Sequence, residues 1–373
     1  MASLCFGHRD SFVVLLHRNM LMKTGNLIFV VPLLFFAGEL QAHHSFFGRF
    51  DTGVSIELQG TVSRVLWRNP HAHIYLQVTA DNGQVTDWDL ESGSPTLMTR
   101  AGIPAGSIKE GDVIRVAAYP PLTGKLEAFA TNVLLPTGQE LVLQTGASAR
   151  FGTDAIGDFS YRFLTEGDRS HPEWGLFRVW TFTGADGFLF PESINRNYDL
   201  ENYPMTEAAR AAVARFNPAT DNPTNNCTPK GMPLIMEQPL PMEVVRQEDG
   251  NVLFRIEEYD LTRLVHMNQS EVPVDTDFSP LGYSTGNWEG DTLVVTTTHI
   301  NWPHFNQAGI PLSNRAVITE RMTPVEDGSQ MDYRMTVEDP VNFTRPVELS
   351  KKWLHVPQEQ VMPFDCAIVP GVE

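Results

Sequence analysis

The chain has few cysteines, a shortage of basic residues and no long hydrophobic run. It has three cysteines, and the two that follow the predicted signal lie far apart in sequence and make a poor zinc site. Its 27 basic and 45 acidic side chains give a net charge of −18, which repels phosphate backbones and makes nucleic acid a poor partner. The longest N-terminal apolar run, Leu27–Ala37, has eleven residues and is too short to cross a bilayer, so no stable membrane span is expected.

That short apolar run has the features of an export signal. Lys23 precedes it, and Leu40-Gln41-Ala42 is an acceptable cleavage site. Residues 1–42 are therefore predicted to be a signal peptide. The stretch before Met22 is interpreted as the product of a start site assigned too far upstream. No cysteine follows the run, so a lipid anchor is not expected. The sequence predicts a periplasmic or secreted bacterial protein, with an uncleaved membrane anchor as the alternative.

Two cysteines lie after the predicted signal, Cys227 and Cys366. An even pair in an oxidising compartment favours a disulfide, which would tie the end of the chain to its middle. The alternatives are two free thiols or a thiolate metal ligand.

Long helical periodicity is scarce, while 28 glycines and 26 prolines divide the chain into short β-branched and aromatic runs. This pattern predicts a mainly β protein. In residues 43–143, about five strands with one small helix (Thr96–Ala101) after the third match the order of an OB-like barrel. The predicted strands are Val54–Val65, Ala72–Thr79, Val85–Leu90, Val113–Ala118 and Ala128–Leu134, followed by a short Leu141–Leu143.

Residues 144–170 are predicted to be a linker, and residues 171–373 an antiparallel β barrel or sandwich with one short helix, Thr206–Phe216. Three Gly-containing turns indicate successive hairpins in this second domain. Its predicted strands are Leu176–Phe182, Met242–Gln247, Val252–Tyr259, Leu261–Met267, Thr292–Thr298, Ala316–Pro324, Met331–Val337 and Val347–Leu354.

Several short motifs lie in the first part of the chain: Ala42-His43-His44-Ser45-Phe46, Phe50-Asp51, Asn69-Pro70-His71, Trp88 and Leu90-Glu91. They resemble a group of secreted bacterial proteins of unknown function whose mature N-termini begin Ala-His-His-Ser-Phe. The phrase from Gly282 to Val295 and the pairs Glu320-Arg321 and Asp339-Pro340 are similar to a companion region of the same proteins. Asn287 stands where a histidine is expected. The resemblance implies export but does not suggest any activity.

Cleavage after Ala42 would make His43 the first residue, with an α-amine and an imidazole that can both bind Cu(II). His71 and His73 are two residues apart at the start of the second strand and are expected to point the same way. His44 could replace or join them, and Glu91 or Asp89 could orient an imidazole. The sequence therefore predicts a copper site at His43, His44, His71 and His73. The alternative is a frayed terminus with a turn-capping His71.

A second hypothesis places a small-molecule or hydrolytic site in the C-terminal domain. Its candidates are His266, His299, His304, Glu289 and Asp291, and no tight spacing links them. Gly282-x-Ser284-x-Gly286 matches a nucleophile elbow, but a turn and a strand follow where a helix is needed. Its glycines are interpreted as part of a turn or bulge. The partner is thus a metal ion or a small molecule, and whether the protein is an enzyme stays open.

Overall fold

We analysed a computed structural model of the chain. The structure describes residues 49–80, 82–122, 124–144, 146–152, 154–157, 171–182, 200–237, 240–269, 271–325 and 327–366. All of these described residues belong to one compact unit. The predicted signal peptide, His43 and His44 lie outside the described residues.

The N-terminal part is a closed five-stranded barrel, as predicted. Antiparallel pairs join its strands in the order β3-β2-β1-β4-β5, and a parallel pair between β3 and β5 closes the barrel. The small helix α1, Pro95–Arg100, lies between β3 and β4, which completes the OB-like order. The strands are β1 (Ile56–Leu66), β2 (His73–Thr79), β3 (Val85–Glu91), β4 (Val113–Tyr119) and β5 (Glu127–Leu134).

Two further strands extend the sheet beyond β5. They are β6 (Glu140–Val142) and the parallel β7 (Ala155–Ile156). Glu140 is fully buried and accepts hydrogen bonds from the backbone N–H groups of Arg150, Phe151 and Gly152. Part of the stretch predicted to be a linker therefore packs against the first barrel.

The inward positions of this barrel are apolar. Ile74, Leu76 and Leu90 are fully buried in its core. Because strand side chains alternate between faces, His73, Asp89 and Glu91 lie on the opposite side of the same two strands. The hydrophobic pattern thus fixes the side of the sheet on which His73 and these two carboxylates lie.

The C-terminal part is a closed nine-stranded barrel in the order β10-β11-β12-β13-β14-β15-β16-β8-β9. The predicted barrel is confirmed, and its closure excludes the open sandwich. The strands are β8 (Val179–Phe182), β9 (Met242–Arg246), β10 (Val252–Ile256), β11 (Leu261–Met267), β12 (Tyr283–Glu289), β13 (Thr292–Thr298), β14 (Val317–Val325), β15 (Gln330–Glu338) and β16 (Val347–His355).

One strand of this barrel, β12, was missed by sequence-based prediction. The Gly282-x-Ser284-x-Gly286 segment, interpreted as a turn or bulge, forms most of it. Strand β12 pairs in parallel with β11, whereas the other pairs of this barrel are antiparallel. A Cβ atom at Gly286 would lie 2.6 Å from Cγ1 of Val265. The glycine there therefore permits the close contact between β11 and β12.

The predicted short helix is α2, Glu207–Val213, and the side chain of Thr206 accepts a hydrogen bond from the Ala209 N–H at its start. A second short helix, α3, spans Pro218–Asp221. A 3-10 turn over Leu234–Glu237 buries Leu234, Ile235 and Met236 in the core of the second barrel.

The C-terminal segment 356–366 contacts both barrels. Glu257, beside β10, receives two hydrogen bonds from Arg100 of α1, and Arg100 also pairs with Glu359. The predicted Cys227–Cys366 disulfide is confirmed, with Cα atoms 6.0 Å apart. This pairing excludes the free-thiol and thiolate-ligand alternatives.

Candidate functional site

The loop before β2 carries the first candidate site, and neighbouring elements fix it firmly. Asn69 is buried, donates to Thr96 at 2.8 Å and accepts from Ser94 at 2.8 Å. Its backbone N–H donates to the Asp365 carbonyl at 2.8 Å. His71 follows two residues later, so helix α1 and the C-terminal segment together set the position of this histidine.

Both described histidines of this site are oriented by carboxylates. Nδ1 of His71 hydrogen-bonds to Glu91, and Nδ1 of His73 hydrogen-bonds to Asp89 at 2.7 Å. When Nδ1–H donates to a carboxylate, the lone pair stays on Nε2, which is the tautomer that binds metals. No residue of the described chain hydrogen-bonds to Nε2 of His71 or His73.

Arg49 adds a positive charge above these carboxylates. Its guanidinium donates to Glu91 at 3.0 Å and also pairs with Glu127. Burial tends to raise the pKa of Glu91. The hydrogen bond and charge of His71 and the charge of Arg49 have the larger combined effect and lower this pKa to about 2. Glu91 is therefore ionised near neutral pH and accepts from both groups.

The described residues alone do not complete a metal site. No group of three or more His, Cys, Asp or Glu side chains within the described ranges is placed to hold a metal ion. The predicted ligands His43 and His44 fall outside those ranges. The two oriented imidazoles therefore provide at most part of a coordination sphere.

The histidines of the second hypothesis have separate neighbours. His266 stacks on Tyr283 with ring centroids 4.4 Å apart, on the outer side of the barrel. Nδ1 of His299 hydrogen-bonds to Thr298, and His304 packs against Phe216. Burial lowers the pKa of His304. No contact among the described residues joins these three histidines, and their catalytic role stays a prediction.

The carboxylates of that hypothesis also lie at the surface. Glu289 pairs with Arg321 at 2.9 Å, and both side chains are about half exposed. Asp291 lies in the turn between β12 and β13. Glu320, the neighbour of Arg321 in sequence, points into the barrel instead, so the adjacent pair faces opposite sides of the wall.

Sequence-based prediction missed a row of polar residues inside the second barrel. Six consecutive strands each contribute one inward polar side chain, and every one is at most 2% exposed. We call this row the polar belt. Its members, from β11 to β16, are Arg263, Ser284, Thr297, Glu320, Tyr333 and Lys351.

Hydrogen bonds connect most of the belt. Arg263 donates to Ser284 at 3.0 Å, to Thr297 at 2.7 Å and to both carboxylate oxygens of Glu320. The Tyr333 hydroxyl donates to Glu320 at 2.7 Å. Burial and the adjacent Glu320 raise the pKa of Tyr333. Ser284 thus holds an arginine in place, and its strand setting is unlike that of a nucleophile elbow.

Lys351 ends the belt beside a second group of charges. Its ammonium donates to the Met236 carbonyl at 3.3 Å and lies 3.7 Å from the Trp353 ring centroid. Burial lowers the pKa of Lys351 to about 7, against the opposing effect of Glu237 and Glu258. Burial likewise raises the pKa of Glu237 to about 7. The barrel thus holds an acid and a base that both titrate near neutrality.

A weak signal of the belt exists in the sequence. Within predicted strands, charged residues occupy positions that alternate with buried apolar ones, as in Ile318-x-Glu320-x-Met322 and Leu349-x-Lys351-x-Trp353. Alternation places such residues on the core side. Only the closed barrel shows that they share one interior row.

Comparisons with known proteins give one partial match and no activity. Residues 32–130 match the model of a family of unknown function, DUF6152. This stretch contains β1 to β4, the first half of β5 and both described histidines of the first site. No curated protein and no solved structure matches the chain. Within the described ranges, no helix is long and apolar enough to cross a membrane.

Proposed function

We propose that this is an exported metal-binding protein that holds Cu(II) on its OB-like barrel. His43 would supply its α-amine and imidazole after cleavage at Ala42. His71 or His73 would supply the next imidazole, and His44 could serve beside them. Two imidazoles and an amine form a donor set that suits copper better than zinc.

The observation that supports the proposal is the pair of carboxylate-oriented imidazoles. Metal-binding histidines almost always donate their second nitrogen to a carboxylate, a backbone carbonyl or water, which fixes ring orientation and raises ligand basicity. His71 with Glu91 and His73 with Asp89 both have this arrangement, two residues apart. A turn-capping histidine would have no need of a buried carboxylate on the opposite strand.

The test is Cu(II) titration of protein that begins at His43, compared with the same protein carrying one extra N-terminal Met. The extra residue moves the α-amine away from the imidazole, so we expect tight binding to be lost. H71A and H73A should each weaken binding, whereas H266A, on the outer wall of the second barrel, should not. Equal affinity of the authentic and extended forms would refute the proposal, as would a natural terminus other than His43.

A further inference from the structure

The loop between β4 and β5 exposes two large apolar side chains. Leu122 is 58% exposed and Leu126 is 48% exposed. The other large apolar side chains that the described first barrel exposes, Val54, Val85 and Val113, each lie in a different segment. Exposed apolar residues scattered singly are normal, whereas contiguous apolar patches mark interaction surfaces. Leu122 and Leu126, which we call the leucine pair, are therefore a candidate docking surface.

The first member of the leucine pair lies where the described chain begins. The Leu122 N–H donates to the Arg49 carbonyl at 2.7 Å. The Arg49 guanidinium donates to one oxygen of Glu91, and Nδ1 of His71 hydrogen-bonds to the other oxygen of the same carboxylate. A segment that precedes Arg49 therefore starts next to Leu122 and near the carboxylate that orients His71.

The second member lies beside the partner of the other imidazole. The Leu126 carbonyl accepts from the Asp89 N–H at 3.0 Å. The Asp89 side chain in turn hydrogen-bonds to His73 at 2.7 Å. The β4–β5 loop therefore runs from the start of the described chain to the strand that orients His73.

The residues just before Arg49 include the apolar side chains that such a surface would accept. Residues 43–48 read His-His-Ser-Phe-Phe-Gly. Phe46 and Phe47 are three and two residues before Arg49, and three residues span at most about 10 Å. Chain connectivity therefore keeps both phenylalanines close to Leu122.

The path of the described chain leads along this loop. Phe50 is 1% exposed and forms an antiparallel β-bridge with Pro121. The Asp51 N–H donates to the Pro120 carbonyl at 2.9 Å, and the Leu122 N–H donates back across the bridge. In an antiparallel pair, residues that come earlier on one segment lie opposite residues that come later on the other. The residues before Phe50 are thus directed from Leu122 toward the end of the loop.

We propose that residues 43–48 of the mature protein dock on the leucine pair through Phe46 and Phe47. The segment would continue the antiparallel path along the β4–β5 loop. The consequence for copper rests on the proposed function: docking would hold the α-amine and imidazole of His43 beside the two oriented imidazoles. The site would then be preorganised, and copper binding would not have to order a free terminus.

Methyl NMR of the copper-free protein that begins at His43 tests the docking directly. A phenylalanine ring in contact with a leucine methyl group shifts its resonance. F46A/F47A should therefore shift the methyl resonances of the leucine pair and leave those of Val85, exposed at the start of β3, in place. Unchanged leucine resonances would refute the docking, whether or not the protein binds copper. Shifts that follow protein concentration would assign the loop to a second copy of the chain and would also refute it.

Copper titration then separates the docking from the proposed function. L122S/L126S keeps every predicted ligand, and it should weaken Cu(II) binding on the order of tenfold because the terminus must be ordered on binding. V85S/V113S also removes two exposed apolar side chains and should bind copper as the wild-type protein does. Equal Cu(II) affinity of L122S/L126S and wild type would overturn the proposal. Leucine resonances that respond to F46A/F47A in a protein that binds no copper would support the docking and refute the proposed function.

Discussion

Lys351 and Lys352 are consecutive residues on β16, yet Lys351 is 2% exposed inside the barrel and Lys352 lies on its outer surface. Because the unfolded chain retains the Lys351 proton up to its ordinary pKa of 10.5, the stability of the wild-type protein should rise with pH between about 7 and 10.5. K351M should abolish that rise and K352M should retain it. Urea unfolding at pH 7, 8.5 and 10 checks this, and equal slopes for both variants would contradict it.

Glu91 should make stability sensitive to acid. Its pKa is lowered from 4.5 to about 2, so its contribution is present above pH 4.5 and is lost as pH falls toward 2. E91Q should cost on the order of 2–3 kcal/mol at neutral pH, and the difference from wild type should vanish near pH 2. Thermal unfolding from pH 7 to pH 2 measures it. The exposed E289Q should differ from wild type by under about 0.5 kcal/mol at every pH.

Asp89 should tune copper affinity through His73. If His73 binds the metal, D89N should weaken Cu(II) binding by roughly 10- to 100-fold because the imidazole loses its anionic partner. Asp87, two residues earlier on β3, bonds to Gln77 instead, so D87N is a matched control. Isothermal titration of both variants distinguishes the roles. Equal Cu(II) affinities for D89N and D87N would show that His73 does not bind the metal. The second imidazole would then come from His71, or the proposed site would be wrong.

The Arg263–Glu320 pair should show the asymmetry of buried ion pairs. R263M leaves a fully buried carboxylate without its main partner and should cost about 3–5 kcal/mol, whereas R263M/E320M should cost less than either single change. The exposed Arg321–Glu289 pair on the outer wall should couple by at most about 1 kcal/mol. Double-mutant cycles measured by urea unfolding give the coupling energy of both pairs. A double variant R263M/E320M that is less stable than both single variants would contradict the expectation.

The disulfide should stabilise the loop that carries His71. Removing Cys227–Cys366, which closes a sequence separation of 139 residues, should cost roughly 2–5 kcal/mol. The Asn69 N–H bonds to Asp365 beside Cys366, so its hydrogen-exchange protection should fall more than global destabilisation explains. Hydrogen exchange of the C227S/C366S variant checks this, with the hydrogen-bonded backbone amides of β14 and β15 as the reference for global destabilisation. Equal loss of protection at all sites would mean that the segment is held independently of the disulfide.

Much of the first barrel could be predicted from sequence because its strands are short, alternating and separated by turn residues. Gly83, for example, takes positive φ between β2 and β3, as its turn requires. The second barrel was predicted except for β12. Two glycines in five residues obscured that strand, whose parallel partner β11 lies fifteen residues earlier and offers no hairpin signal. The pairing of a glycine-containing strand depends on neighbours that a local pattern cannot identify.

The sequence by itself determined the mainly β class, the alternation that places His73 opposite the apolar core, the disulfide partners and the acidic charge. The class and the placement of His73 follow from local periodicity, whereas the disulfide partners and the charge follow from residue counts. Only the tertiary structure decided that Glu91 and Asp89 hydrogen-bond to the imidazoles of His71, in the loop before β2, and of His73, on β2. It also decided that six separate strands bring one polar row together inside a closed barrel. Such contacts join residues far apart in the chain, and they exist only once strand order and register are set by burial of the whole core.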